Sequence, residues 1–384
     1  MKVSIHTLTD AAANLHAYLA KNHWNGQALQ GPDYGIRFNA RIGRFIKSYT
    51  SFLPWSDDYI YTQAQKYWIL DNWLTSDLGL ANQETCQEMA ITCSEYVLSM
   101  QRPEGHWEYP NPEWRHRIAT VEGNYAAMGL LETYLRTGHR PLLDGAKKWY
   151  RYVIENVGFE DQGGKLAVNY FANEPGSMVP NNSASALRTF ALLAKAANDD
   201  QYLETCPGMV AFLQDAQLET GELPYALKGP HGSSDRIHFL CYQYNAFQFL
   251  NLADYYRLTE DQTIWPILEK LARFVSDGVS ESGASRYNCD HKGPEVSYYT
   301  AALAAALSQA TALKLGDYRS LAERAFGLVL SQQRPDGGMA FFSRGNYGFL
   351  TDKRSYPRSQ SMILYHVLSG LQTHISPTTQ RELT

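Results

Sequence analysis

Apolar residues recur three and four positions apart along much of the chain. Within residues 264–276 they fall at Leu268, Leu271, Phe274 and Val275, the spacing that places them on one face of an α-helix. Half-polar stretches of this kind also cover residues 85–100, 143–155, 202–213 and 318–332. Each alternates with a stretch richer in Ala, Leu and Tyr, at residues 124–136, 183–197, 244–257 and 298–313. These second stretches lack a continuous polar face, as expected of helices covered on several sides. Their starts, near residues 59, 124, 183, 242, 297 and 359, advance by near-constant steps. The pattern therefore predicts six helical hairpins. Strand signals are weak and confined to short segments such as 165–170, which would cap loops.

A short motif punctuates the hairpins. Gln101-Arg-Pro-Glu-Gly105-His-Trp107 returns as Gln217-Leu-Glu-Thr-Gly221-Glu-Leu223 and as Gln333-Arg-Pro-Asp-Gly337-Gly-Met339. The copies stand 116 residues apart each time, with half-period echoes near Gly164 and Gly283. Self-similarity at a fixed period marks a repeat architecture. Glycine just beyond a helix end supplies the left-handed turn that stops it. Six antiparallel hairpins closing on themselves make an all-α, (α/α)6 toroid, with an open, end-capped solenoid as the alternative. The expected organisation is one domain over residues 1–384. Helices within 1–50 would close the ring, and repeats would run from about 55 to 375.

Composition narrows the function classes. The 384 residues carry a formal net charge of -5 and no basic run, which argues against nucleic-acid binding. The first residues lack the apolar core of a signal peptide, and no apolar run suits a membrane span. A cytoplasmic protein is expected, with peripheral membrane contact left open and no obligate protein partner inferred. Five cysteines without tight spacing fit reduced thiols. Aromatic residues are abundant, with 26 Tyr, 8 Trp and 15 Phe. Many crowd the predicted starts of inner helices, where Tyr and Trp faces suit sugar rings or carbocations.

The Gln-x-x-x-Gly-x-Trp pattern on six hairpins resembles the repeat of squalene–hopene and oxidosqualene cyclases and of protein prenyltransferases. Gln101, Gly105 and Trp107 match it fully; Leu223 and Met339 replace the Trp in the other copies. The resemblance implies a monodomain class II terpene cyclase of the merosterolic acid synthase kind, acting without cofactor on an apolar isoprenoid substrate. Such cyclases protonate an alkene with the middle Asp of Asp-x-Asp-Asp. That motif is absent here, so the resemblance points to Asp57 or Asp58 in Trp55-Ser-Asp-Asp58, and next to Glu122. Capping of a helix N-terminus is the competing explanation of Asp57 and Asp58. His238 is placed to hydrogen-bond a catalytic acid across the mouth, or is a satisfied loop residue. The expected substrate-binding set is Trp55, Tyr61, Trp68, Asn124, Tyr125, Asn181, Asn182, Tyr242, Tyr244, Tyr298, Tyr299 and Arg358.

Two alternatives stand beside the cyclase. α/α toroids also serve uronate polysaccharide lyases, hydrolases and sugar epimerases, and Asn181-Asn182 resembles the Asn-Asn-His of some lyases with Ser183 in place of His. A non-catalytic binding toroid is the other. Asn288-Cys-Asp-His291 contains three metal-ligand types, but adjacent residues rarely aim at one ion, so no metal is expected. Phosphate loops, dinucleotide fingerprints and diphosphate-binding Asp-Asp-x-x-Asp motifs are absent from the sequence.

Overall fold

A computed structural model describes residues 3–39, 41–53, 55, 57–114, 116–228, 237–289, 293–342 and 350–379. In chain order its helices are α1 (Ile5–Asn22), α2 (Gly43–Tyr49), α3 (Thr62–Asp77), α4 (Gln83–Ser99), α5 (Thr120–Thr137), α6 (Arg140–Tyr152) and α7 (Pro180–Ala197). Then come α8 (Cys206–Ala216), α9 (Cys241–Thr259), α10 (Trp265–Asp277), α11 (Ser297–Ala312), α12 (Arg319–Ser331) and α13 (Pro357–Thr379). The odd-numbered helices from α3 to α13 form an inner ring. Each packs on the next, and α13 packs on both α11 and α3, which closes it. The even-numbered helices from α4 to α12 lie outside, and α1 takes the sixth outer place against α13. The architecture is the (α/α)6 toroid that the hairpin count predicts.

Burial follows the two kinds of stretch. Every residue of α11 from Ser297 to Ala310 is buried, and its alanines let neighbouring helices approach closely. Outer helices bury one stripe only: α10 buries Ile267, Leu268, Leu271, Ala272, Phe274 and Val275. One apolar core runs from Leu8 to Leu371. Polar residues inside it bond between neighbouring inner helices. Trp73 Nε1 donates to Thr133 Oγ1 at 3.2 Å, Asn124 to Ser185 at 2.9 Å and Gln309 to Ser369 at 2.9 Å. The only regular strands among the described residues, β1 (Phe159–Asp161) and β2 (Leu166–Val168), pair antiparallel within one loop.

The repeated motif is a brace. Gln101 Nε2 donates to the carbonyls of Gly105 and Gly145, both at 2.9 Å. Gln217 bonds Gly221 and Ile267 in the same way, and Gln333 bonds Gly337 and Ala11. Each glutamine thus ties its own loop to the next outer helix; the third ties the last repeat back to α1 and helps close the ring. The motif glycines have φ of +106°, +93° and +91°. A Cβ there would meet the carbonyl of Lys148, Lys270 or Asn14. The half-period echo at Gly283 makes the same approach to Arg324, whereas Gly164 meets nothing.

Candidate active site

All six inner helices begin at the same end of the ring, so the loops before them form a collar around one mouth. Neighbouring loops are stitched by backbone pairing: Ala119 with Phe171, Met178 with Lys228, and Val296 with Phe342. This end gathers tyrosines. Tyr34 lies 5.1 Å from Tyr298 and 5.0 Å from Phe341, and Tyr298 lies 4.5 Å from Tyr299. Tyr61 meets Tyr109 edge-on at 6.0 Å, and Tyr109 and Phe171 both flank Trp114. Tyr225 packs against Tyr244 at 4.8 Å and Phe239 at 5.1 Å. Burial raises the phenols of Tyr109, Tyr170, Tyr244 and Tyr298 well above their ordinary range, so they stay neutral and can donate hydrogen bonds.

Charged groups sit among these rings. Arg358, the second residue of α13, bonds Asp33 through Nε at 2.7 Å and Nη2 at 2.8 Å. Its Nη1 donates to Gln63 Oε1 at 3.0 Å. The guanidinium lies 4.4 Å from the Tyr34 ring and 4.5 Å from the Tyr61 ring, a geometry that suits its planar charge. Glu122 stands in the first turn of α5 and is 1% exposed. Its Oε2 accepts from the Thr62 backbone N–H at 3.1 Å and from Thr62 Oγ1. Burial raises the Glu122 carboxyl above its ordinary range, against the pull of the Thr62 bonds and Arg358. Glu122 in turn acts on Tyr61, Tyr109, Tyr125 and Tyr170. Tyr125 is pushed up to about 12 by burial, then by Glu122. The Tyr61 hydroxyl is buried and, among the described residues, has no hydrogen-bond partner.

The expected residues divide. Tyr61, Glu122, Tyr125, Tyr244, Tyr298, Tyr299 and Arg358 come together at the mouth. Asn181 and Asn182 open α7 at the same end. Asn182 is fully buried, with neither amide atom bonded among the described residues. Trp68 and Tyr242 face the outer layer instead: Trp68 stacks on His16 of α1 at 5.0 Å, and Tyr242 on Phe274 of α10 at 4.9 Å. Asn124 spends its amide on Trp149 and Ser185. Trp55 lies at the surface and donates to the Thr50 carbonyl. Asp58 is exposed. Asp57 is the hub of a cluster in which it pairs with Lys47 and Arg354 and accepts from Asn39 Nδ2, the arrangement of a structural anchor rather than of a proton donor. His238 approaches Glu222 Oε2 at 2.8 Å on the rim. One ligand atom from each of Glu222, His238, Cys241 and Cys289 lies within 4.8 Å of the others. Asp290 and His291 lie outside the described residues.

Asp33, Tyr34, Tyr109, Trp114, Tyr170 and Tyr225 escape sequence reasoning altogether. They sit on loops, where no periodicity marks an inward face. Only their richness in aromatic residues hinted at them.

No family model matches the sequence, and no curated protein is significantly similar to it. Solved structures do match in fold. Cellobiose 2-epimerase from Bacillus thermoamylovorans superposes with a TM-score of 0.69 at 13% identity, covering 94% of this chain and 98% of its own. A polysaccharide lyase gives 0.66 at 13% identity, covering 97% and 99%. An unsaturated glucuronyl hydrolase specific for heparin gives 0.65 at 12% identity, covering 98% of each chain. At such identities the likeness shows the fold. It also overturns the expectation of a terpene cyclase, because these neighbours are carbohydrate enzymes. The brace motif accounts for the error: it holds toroid repeats together whatever the ring contains. Alkene protonation by Asp57, Asp58 or Glu122 and the isoprenoid substrate fall with that expectation. Among the described residues, no helix is long and apolar enough to cross a membrane.

Proposed function

We propose that this chain is a carbohydrate-active enzyme that binds a glycan in the tyrosine-lined mouth and uses Glu122 as its proton donor. The observation that carries this reading is a carboxyl raised by burial, set among tyrosine rings and a clamped arginine. A carboxyl raised by burial is the kind of group that protonates a glycosidic oxygen as the bond breaks. Thr62 holds Oε2, which fixes the carboxyl's orientation. The tyrosine faces would stack on sugar rings, and their hydroxyls and Asn182 would bond sugar hydroxyls. Asp33 is tied to Arg358 in a bidentate pair that neutralises its charge and holds the guanidinium between the Tyr34 and Tyr61 rings. The fold shared with a lyase, an epimerase and a glucuronyl hydrolase supports the same class.

The test is turnover of a panel of neutral and uronate oligosaccharides, reading reducing ends, unsaturated products and epimers separately. Hydrolysis of at least one glycan is expected. Glu122→Gln should lower kcat by about 100-fold or more while the thermal midpoint is retained. Full activity in Glu122→Gln would remove Glu122 from the chemistry, and formation of only unsaturated or epimerised product would replace hydrolysis.

A further inference from the structure

We propose that Glu222, His238, Cys241 and Cys289 bind one zinc ion, which clasps two loops of the mouth together. The four residues come from three separate places. Glu222 directly follows the brace glycine Gly221. His238 and Cys241 flank the entry into α9, and Cys289 lies in the loop before α11. Chain folding, not sequence adjacency, assembles them. Their ligand atoms all lie within 4.8 Å of one another. His238 Nδ1 is 2.8 Å from Glu222 Oε2, and Cys289 Sγ is 3.7 Å from the same oxygen. Zinc–ligand bonds of about 2.0–2.3 Å in a tetrahedron place ligand atoms roughly 3.3–3.8 Å apart, a spacing these side chains reach with small shifts.

The donor set selects the ion. Two sulfurs, one imidazole and one carboxylate suit zinc better than calcium or magnesium, which prefer oxygen. Four protein ligands fill a tetrahedron, so the site is of the closed, structural kind. Two thiolates and one carboxylate leave the zinc-bound cluster with one net negative charge. Each thiol releases its proton to solvent on binding.

Two further features fit a bound cation. The Glu222 side chain is 1% exposed, and its Oε1 has no hydrogen-bond partner among the described residues. A buried carboxylate oxygen left unpaired is costly, and a metal would satisfy it. The Cys289 backbone N–H donates to Cys241 Sγ at 3.4 Å, the outer support that a ligating thiolate receives. The His238 side chain is 48% exposed, which leaves a path for the ion. Beside the cluster, the Leu240 N–H donates to Asn288 Oδ1 at 2.6 Å, so the two loops already meet there. The expectation of no metal rested on the adjacency of residues 288–291, and only Cys289 of that run belongs to the cluster.

The test uses the full, tag-free chain, reduced and stripped with chelator, then titrated with zinc and separately with cobalt(II). One zinc retained per chain is expected, with a higher thermal midpoint. Cobalt should give the visible bands of a tetrahedral ion and the ultraviolet band of a thiolate ligand. Cys241→Ser and Cys289→Ser should each lose the thiolate signature in part and weaken zinc binding by roughly 100-fold or more. Glu222→Gln should weaken binding while keeping the thiolate band. The wild-type cobalt spectrum decides the matter even if a variant folds poorly. Wild-type protein that takes up no zinc after reduction, or cobalt lacking any thiolate band, would overturn the proposal. So would a Cys241–Cys289 disulfide that persists under reducing conditions.

Discussion

At the scale of single residues, the ring's interior holds titratable groups whose cost appears as pH dependence. His366 on α13 is 1% exposed, and neither ring nitrogen has a hydrogen-bond partner among the described residues. Burial, then repulsion from Lys66 and Arg188, lowers its pKa to about 3. The unfolded chain takes up a proton near pH 6.5, whereas the folded chain resists it until about pH 3. Stability should therefore fall as pH drops through that window, by up to about 1.4 kcal/mol per pH unit. His366→Phe should flatten this part of the stability profile, measured by urea unfolding at a series of pH values. An unchanged slope would mean that another group carries the acid sensitivity. Glu122 has the opposite sign. Its folded pKa is raised, so its contribution to stability is complete at low pH and is lost as pH rises through its titration.

At the scale of elements, the braces and the helix starts decide what could be read from sequence. The helical period and the recurring Gln-x-x-x-Gly gave both layers and the hairpin number, because both are local signals. An inner helix is covered on both sides, so its apolar pattern does not say which residues face the axis. That is why Trp68 and Tyr242 were expected at the mouth but pack outward, while Tyr61 and Tyr244 do face it. The mouth's remaining residues, Asp33, Tyr109 and Tyr225 among them, are brought in by loops and have no period to betray them. The brace makes a graded prediction. Gln217→Ala removes the donor to the Gly221 and Ile267 carbonyls and should cost about 1–3 kcal/mol. Gly221→Ala adds a Cβ against the Lys270 carbonyl at positive φ and should cost more than Gly164→Ala. That control position has φ +91° but open space around it, so it isolates backbone strain. Equal losses for the two glycine variants in denaturant titrations would show that the close approach is not tight.

At the scale of the whole molecule, the two ends of the ring are built differently. Beyond the mouth the axis is filled: Lys66 lies 3.9 Å from the Tyr67 ring and 4.8 Å from the Tyr365 ring, and His366 stacks on Phe247. At the opposite end Arg188 and Arg257 both pair with Asp254, and Arg136 pairs with Asp77. Ion pairs thus gird the end where the inner helices finish, whereas at the end where they begin the pairs of Arg358 with Asp33 and of Asp57 with Lys47 and Arg354 sit beside neutral tyrosines. In the proposed function, the mouth is where a glycan would meet Glu122. The most direct measurement is a crystal structure of the Glu122→Gln variant with an oligosaccharide that the wild-type enzyme turns over. Sugar rings are expected against Tyr61, Tyr109 or Tyr244, with a glycosidic oxygen within hydrogen-bonding reach of residue 122. A glycan bound elsewhere, with the mouth empty at saturating concentration, would contradict the proposed role of the mouth.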